Sequence, residues 1–193
     1  MSTPDFSGML RWPNVPACYG WLSLDRRGQW RMRGEAVTHA GLASFLNRQY
    51  GHDEQGNYFV QNGPQRVFVE LDYTPWVLRL TSGNTLQTHT GEPVEEILAA
   101  AFDEEGNLLL EFRDGIGLLC DRDLAPLLAC LRGENGEPAD DAALLELLAQ
   151  APGTPSGLTL HWNGQKIPLR VLQRADISRR YGFVQAPAAL PTA

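Results

Sequence analysis

The chain has 193 residues, 43% of them hydrophobic, and a formal net charge of −7 with a pI near 5.1. That balance argues against a nucleic-acid binder, which needs a concentrated cationic face against phosphates. No run of about 18 apolar residues is present to span a bilayer. Met1-Ser2-Thr3-Pro4-Asp5 lacks the cationic and apolar regions of a signal peptide, and three widely spaced cysteines, Cys18, Cys120 and Cys130, fit a reducing compartment better than a disulfide framework. A cytoplasmic protein is expected.

Residues 1–19 are punctuated by Pro13 and Pro16 and read as an arm over the body, held by Trp12, whose indole is too apolar to leave in water. Residues 21–25 and 29–33 alternate around Gly28 and predict a hairpin. Thr38 is a good N-cap for a helix over 38–50, and Gly51 a candidate left-handed stop. Residues 58–61 and 66–71 predict strands joined through the turn dipeptide Asn62-Gly63. Residues 76–81 and 85–88 predict two further strands around Ser82-Gly83-Asn84, and 91–96 suits either a short helix or a strand.

From residue 98 the chain repeats its opening course. Phe102 leads into Asp103-Glu104-Glu105-Gly106, two apolar stretches follow at 108–112 and 116–119, and a helix is predicted over 121–131. Asp140 or Asp141 caps a further helix over 142–150, stopped by Pro152. Residues 158–162 and 166–172 form a hairpin around Asn163-Gly164, and 187–193 is a Pro/Ala tail expected to fray. A repeated supersecondary unit is a fold-level signal, because each copy has an apolar face to cover. The expected fold is therefore α+β, an internal duplication of two similar lobes, each a small antiparallel sheet with a packed helix. The arm takes 1–19, the first lobe 20–91, the second 92–186 and the tail 187–193.

The first half resembles a family of uncharacterised bacterial proteins, domain-of-unknown-function family 1285. The residues that carry the likeness are Trp12-Pro13-Asn14-Val15-Pro16, then Asp25-Arg26-Arg27-Gly28-Gln29-Trp30, Gly34, Leu42 and Phe45. Gly56-Asn57-Tyr58 follows, and then the strand from Arg66 to Trp76 with Glu70 and Pro75 in register. The likeness covers roughly residues 12–80. It implies an α+β protein of two similar lobes with no established activity and a ligand- or partner-binding role in signalling. The chain departs from the family at Asn62-Gly63-Pro64-Gln65, which lacks a carboxylate, and at Ser23-Leu24.

His39, His52, His89 and His161 are scattered without metal-ligand spacing, and Asp103–Asn107 lacks the alternating oxygen ligands of a calcium loop. No nucleophile elbow or phosphate loop is present. Neither metal nor cofactor is expected, and no catalytic residue is assigned; Cys18 is the one candidate reactive thiol. Arg170, Arg174, Arg179, Arg180 and Tyr181 form a cationic stretch that either binds an anion or pairs with the acidic surface. The candidate ligand site is Arg66, Glu70 and Asp72 on one strand face, with Trp12, Tyr58 and Trp76 supplying aromatic walls. These features predict a non-enzymatic binding or regulatory protein with a small polar ligand or a protein partner near the lobe interface. The alternatives are an enzyme, such as a hydrolase, whose site is assembled from distant residues, and a scaffold acting through exposed strand edges.

Overall fold

The computed structural model describes residues 15–189. It is a mixed α+β structure with a six-stranded and a nine-stranded sheet. Two compact units divide it. One takes the chain up to Asp25, Gln29–Asp72 and the chain from Phe183 onward; the other takes Arg26–Gly28 and Tyr73–Gly182. The boundary expected near Gly91 thus lies inside the second unit.

In the first unit the strands are β1 Ala17–Leu24, β2 Trp30–Met32, β3 Glu35–Ala36, β4 Tyr50–His52, β5 Tyr58–Asn62 and β6 Gln65–Leu71, with helix α1 Ala40–Gln49 between β3 and β4. Their order across the sheet is β3-β2-β1-β6-β5-β4. All pairings are antiparallel except the central one, in which β1 runs parallel to β6. The expectation of a purely antiparallel sheet is corrected here. Alternation reveals which face of a strand is buried and says nothing of which strand lies beside it. The arm is corrected as well: β1 starts at Ala17, and Cys18 is buried in it.

Helix α1 is capped by His39, whose Nδ1 accepts from the Leu42 amide at 3.2 Å, and not by Thr38. It stops at Gln49 because Tyr50 turns extended (φ −74°, ψ 133°) and joins β4. Gly51 therefore lies in a strand rather than in a left-handed cap. The helix lays Leu42 and Leu46 on the sheet, where they join Leu22, Val60, Val67 and Val69 as buried residues.

In the second unit β7 Trp76–Leu80, β8 Leu86–Thr88 and β9 Pro93–Val94 come first. Then follow β10 Ala99–Asp103, β11 Leu108–Phe112, β12 Gly115–Leu119, a 3-10 turn at Asp121–Asp123, α2 Leu124–Leu128, β13 Leu131–Arg132, α3 Asp141–Ala149, β14 Pro155–Trp162, β15 Gln165–Leu172 and α4 Arg174–Tyr181. The order is β13-β14-β15-β10-β11-β12-β7-β8-β9. β10 runs parallel to β15 and β12 parallel to β7; the other neighbours are antiparallel. Strands β7 and β8, which fall in the first lobe expected from sequence, are hydrogen-bonded into this second sheet.

The helix predicted over 121–131 is shorter, because fully buried Leu131 pairs with Leu160 across β13 and β14. Asp140 caps α3, its carboxylate accepting from the Ala143 amide at 2.8 Å. Phe102, Leu108, Leu110, Leu127, Leu147 and Leu160 lie within one continuous apolar core. Burying a leucine or phenylalanine of this kind stabilises a fold by about 1.5–3 kcal/mol.

Candidate functional site

The expected ligand residues are not all held by one unit or one strand face. Trp12 lies outside the described residues, and Trp76 belongs to the second unit. Tyr58, Arg66, Glu70 and Asp72 are in the first unit, but β5 and β6 pair Phe59 with Phe68 and Gln61 with Arg66. Strict alternation then puts Tyr58 on the opposite face from Arg66 and Glu70. Tyr58 is buried with Val60, Val67 and Val69, its ring 5.3 Å from that of Tyr50. Arg66 is exposed, and its guanidinium lies 4.7 Å from the centroid of Phe59. Glu70 and Asp72 are exposed. Trp76 donates from its indole to the Asp114 carbonyl at 2.9 Å and packs edge-on against Phe112. Burial pushes the Cys18 thiol pKa up, away from the thiolate form a nucleophile needs.

The second unit holds a better defined cavity, assembled from its first hairpin turn upward. At Asp103-Glu104-Glu105-Gly106-Asn107 the Asp103 carboxylate accepts the Glu105 and Asn107 amides at 3.0 and 2.9 Å, and Gly106 takes a left-handed φ of 81°. This is the turn for which the sequence Asp-x-x-Gly is suited. Asp103 is fully buried, and its other oxygen accepts the Tyr73 hydroxyl at 2.6 Å and the Asn107 side-chain amide at 2.7 Å. Burial and that hydrogen bond to a carboxylate hold the Tyr73 hydroxyl far above the ordinary phenol range. Arg26 and Arg174 approach the Tyr73 ring at 5.4 and 4.8 Å. Arg174 also binds Glu105 at 2.7 Å, Arg179 pairs with Asp176, and the Tyr181 hydroxyl contacts Glu111. Pairing with the acidic surface is therefore the observed use of these three members of the cationic stretch.

Beside this turn lies an apolar pocket of about 100 Å³, lined by Phe102, Gly106, Leu124, Leu128, Leu144, Leu147 and Leu148. It is the space left where α2 and α3 cover β10. Through Gly106 and Leu124 it adjoins a polar recess of about 370 Å³, walled by Arg26, Arg27, Asn107 and Asp121 together with Leu108, Leu118 and Leu119. Arg26 donates to the Asn107 side-chain oxygen at 2.6 Å. Arg27 holds Asp121 through two nitrogens, at 2.6 and 3.1 Å, and this hydrogen-bonded pair draws the Asp121 pKa down to about 2. A recess of this size lies within the ~300–1,000 Å³ range of small-molecule sites, and an apolar wall with a few oriented polar groups is their usual construction.

Sequence reasoning missed this site. Arg26 and Arg27 were visible only as turn residues. The available signal was α3 itself, with Leu144, Leu145, Leu147 and Leu148 on more than one face, of which Leu145 remains 70% exposed. Among the described residues no three of His, Cys, Asp and Glu are grouped as metal ligands, and no helix is long and apolar enough to cross a membrane.

The family described as Protein of unknown function (DUF2946) matches residues 5–188. The resemblance to the family 1285 proteins is met by solved structures. A DUF1285 family protein from Silicibacter pomeroyi DSS-3 superposes with a TM-score of 0.52 at 14% identity, over 86% of this chain and 87% of that one. A second, from Shewanella baltica OS155, gives a TM-score of 0.40 at 14% identity, over 55% of this chain and 91% of that one. No curated protein matches the chain.

Proposed function

We propose, for a chain that belongs to the Protein of unknown function (DUF2946) family, a binding role in which the second unit takes a small amphipathic molecule. The observation that carries this reading is that an almost wholly apolar pocket shares Gly106 and Leu124 with an adjoining recess walled by two arginines, an asparagine and an aspartate. An alkyl group has apolar contacts available at one end, and a polar head has hydrogen-bonding partners at the other. The test is a thermal melt with and without 1-octanol. The expected result is a higher Tm for the unaltered protein and none of that gain for Leu144→Trp, whose indole fills the apolar end. An equal gain in both proteins would place the alcohol elsewhere.

We also propose that the two units are copies of one folding unit. Support comes from strand order: β3-β2-β1-β6-β5-β4 in the first and β12-β11-β10-β15-β14-β13 within the second have the same directions at every pairing. Both opening strands end in an Asp-x-x-Gly turn, with Gly28 at φ 76° and Gly106 at φ 81°. A reducing, cytoplasmic setting is the accompanying proposal, supported by Cys18, Cys120 and Cys130 all being free thiols.

A further inference from the structure

We infer that the ligand of this recess is an anionic amphiphile, an alkyl carboxylate, whose head group displaces Asp121 from Arg27; the inference rests on the binding role proposed above. Four observations carry it. The apolar end presents almost entirely carbon, from Phe102, Leu124, Leu128, Leu144 and Leu148 among others, so it suits an alkyl chain and offers little to a polar group. The residues lining the polar end include two guanidinium groups, Arg26 and Arg27, and one carboxylate, Asp121, while Glu105 pairs with both Arg26 and Arg174 from beside the lining. The charged groups facing the recess thus favour an anionic head over a cationic one.

The third observation is the geometry of the ion pair. Arg27 grips Asp121 in the two-point fashion that a guanidinium offers any carboxylate, with Nη2 at 2.6 Å and Nε at 3.1 Å. Asp121 is thus an internal stand-in for a ligand carboxylate. The fourth is accessibility. The side chains of Arg27 and Asp121 are 56% and 58% exposed, and an exposed pair of this kind is worth only about 0–1 kcal/mol. Exchanging one carboxylate for another on Arg27 therefore costs little. Arg26 is kept in place beside it by Asn107, by the Glu105 carboxylate at 3.5 Å and by the Tyr73 ring.

The arrangement makes Asp121 a competitor and Arg27 the acid-reading residue, and the two predict opposite effects on removal. Calorimetric titration with octanoate, 1-octanol and octylammonium separates the possibilities on the intact protein. Octanoate is expected to bind about tenfold more tightly than octanol, the equivalent of about 1.4 kcal/mol, and octylammonium most weakly. Asp121→Asn should tighten octanoate severalfold and leave octanol unchanged. Arg27→Gln should erase the preference for octanoate while octanol still binds. Both residues are exposed, so both variants should fold, which unchanged thermal melts would verify. If the three probes bind alike, or if Asp121→Asn weakens octanoate, the acid assignment is overturned while the pocket stands. If none binds, the proposed binding role fails and this inference falls with it.

Discussion

The Asp-x-x-Gly turns that open the two sheets use one backbone device in two environments. At the first, Asp25 accepts the Gln29 amide at 2.9 Å and the Arg31 side chain at 3.1 Å, and the carboxylate keeps some contact with solvent. At the second, Asp103 makes the equivalent bond to Asn107, yet its carboxylate is fully buried and is satisfied by Tyr73 and Asn107. The surroundings of the carboxylate, not the turn, separate them. A turn sequence fixes local geometry, whereas the cost of losing its carboxylate is set by what covers it.

Replacing that carboxylate gives the largest expected contrast. Asp103→Ala removes the buried carboxylate that accepts the Tyr73 hydroxyl, the Asn107 side chain and the Glu105 and Asn107 backbone amides, and should destabilise the protein by about 3–5 kcal/mol, read from denaturant melts. Asp25→Ala should cost only about 1 kcal/mol. Equal losses would show that the turn itself dominates. The turn glycines give a second contrast. A Cβ at Gly28 would stand 2.7 Å from the His89 Cβ in addition to adopting φ 76°, while at Gly106 it would meet Leu148 at an ordinary 3.8 Å. Gly28→Ala is therefore expected to cost about 2–4 kcal/mol and Gly106→Ala about 1–2 kcal/mol.

A smaller effect comes from pH. Burial draws the His89 pKa down to about 3 from 6.5, and the ring Nε2 is covered although the residue as a whole is only partly buried. A lowered folded-state value means that the unfolded chain binds the proton first as pH falls. Stability should be full above about pH 6.5 and decline toward pH 3, by about 1–2 kcal/mol between pH 7 and pH 5. Melts of His89→Gln across that window should lack this part of the slope.

Much of the fold could be read from the residues. The Asn62-Gly63 and Asn163-Gly164 hairpins, both Asp-x-x-Gly turns and the Asp140 cap are local chemistry, and local chemistry is written in sequence. The partnership of β1 with β6 and of β7 with β12 was not, since parallel neighbours are joined through distant chain and leave the same alternation as antiparallel ones. Helix α4 escaped notice because Ile177 is its only buried residue, so it shows no apolar period; Gly182, left-handed at φ 66°, marked only its end. The strand face of Arg66 and Glu70 was identified correctly, but which side of β5 accompanies it depends on register, and that put Tyr58 on the far face. The cavity depends on how two short helices sit over β10, a packing outcome that no spacing of leucines specifies.

The most direct test of the binding account is an amide 1H–15N NMR titration of the intact protein with octanoate. The account predicts shifts confined to Arg26–Gly28, to Gly106 and Asn107, to Leu118–Asp121 and to Leu124, Leu128, Leu144 and Leu148 around the pocket. Shifts centred instead on Phe59, Arg66, Phe68 and Glu70, or no saturable shifts at all, would contradict it.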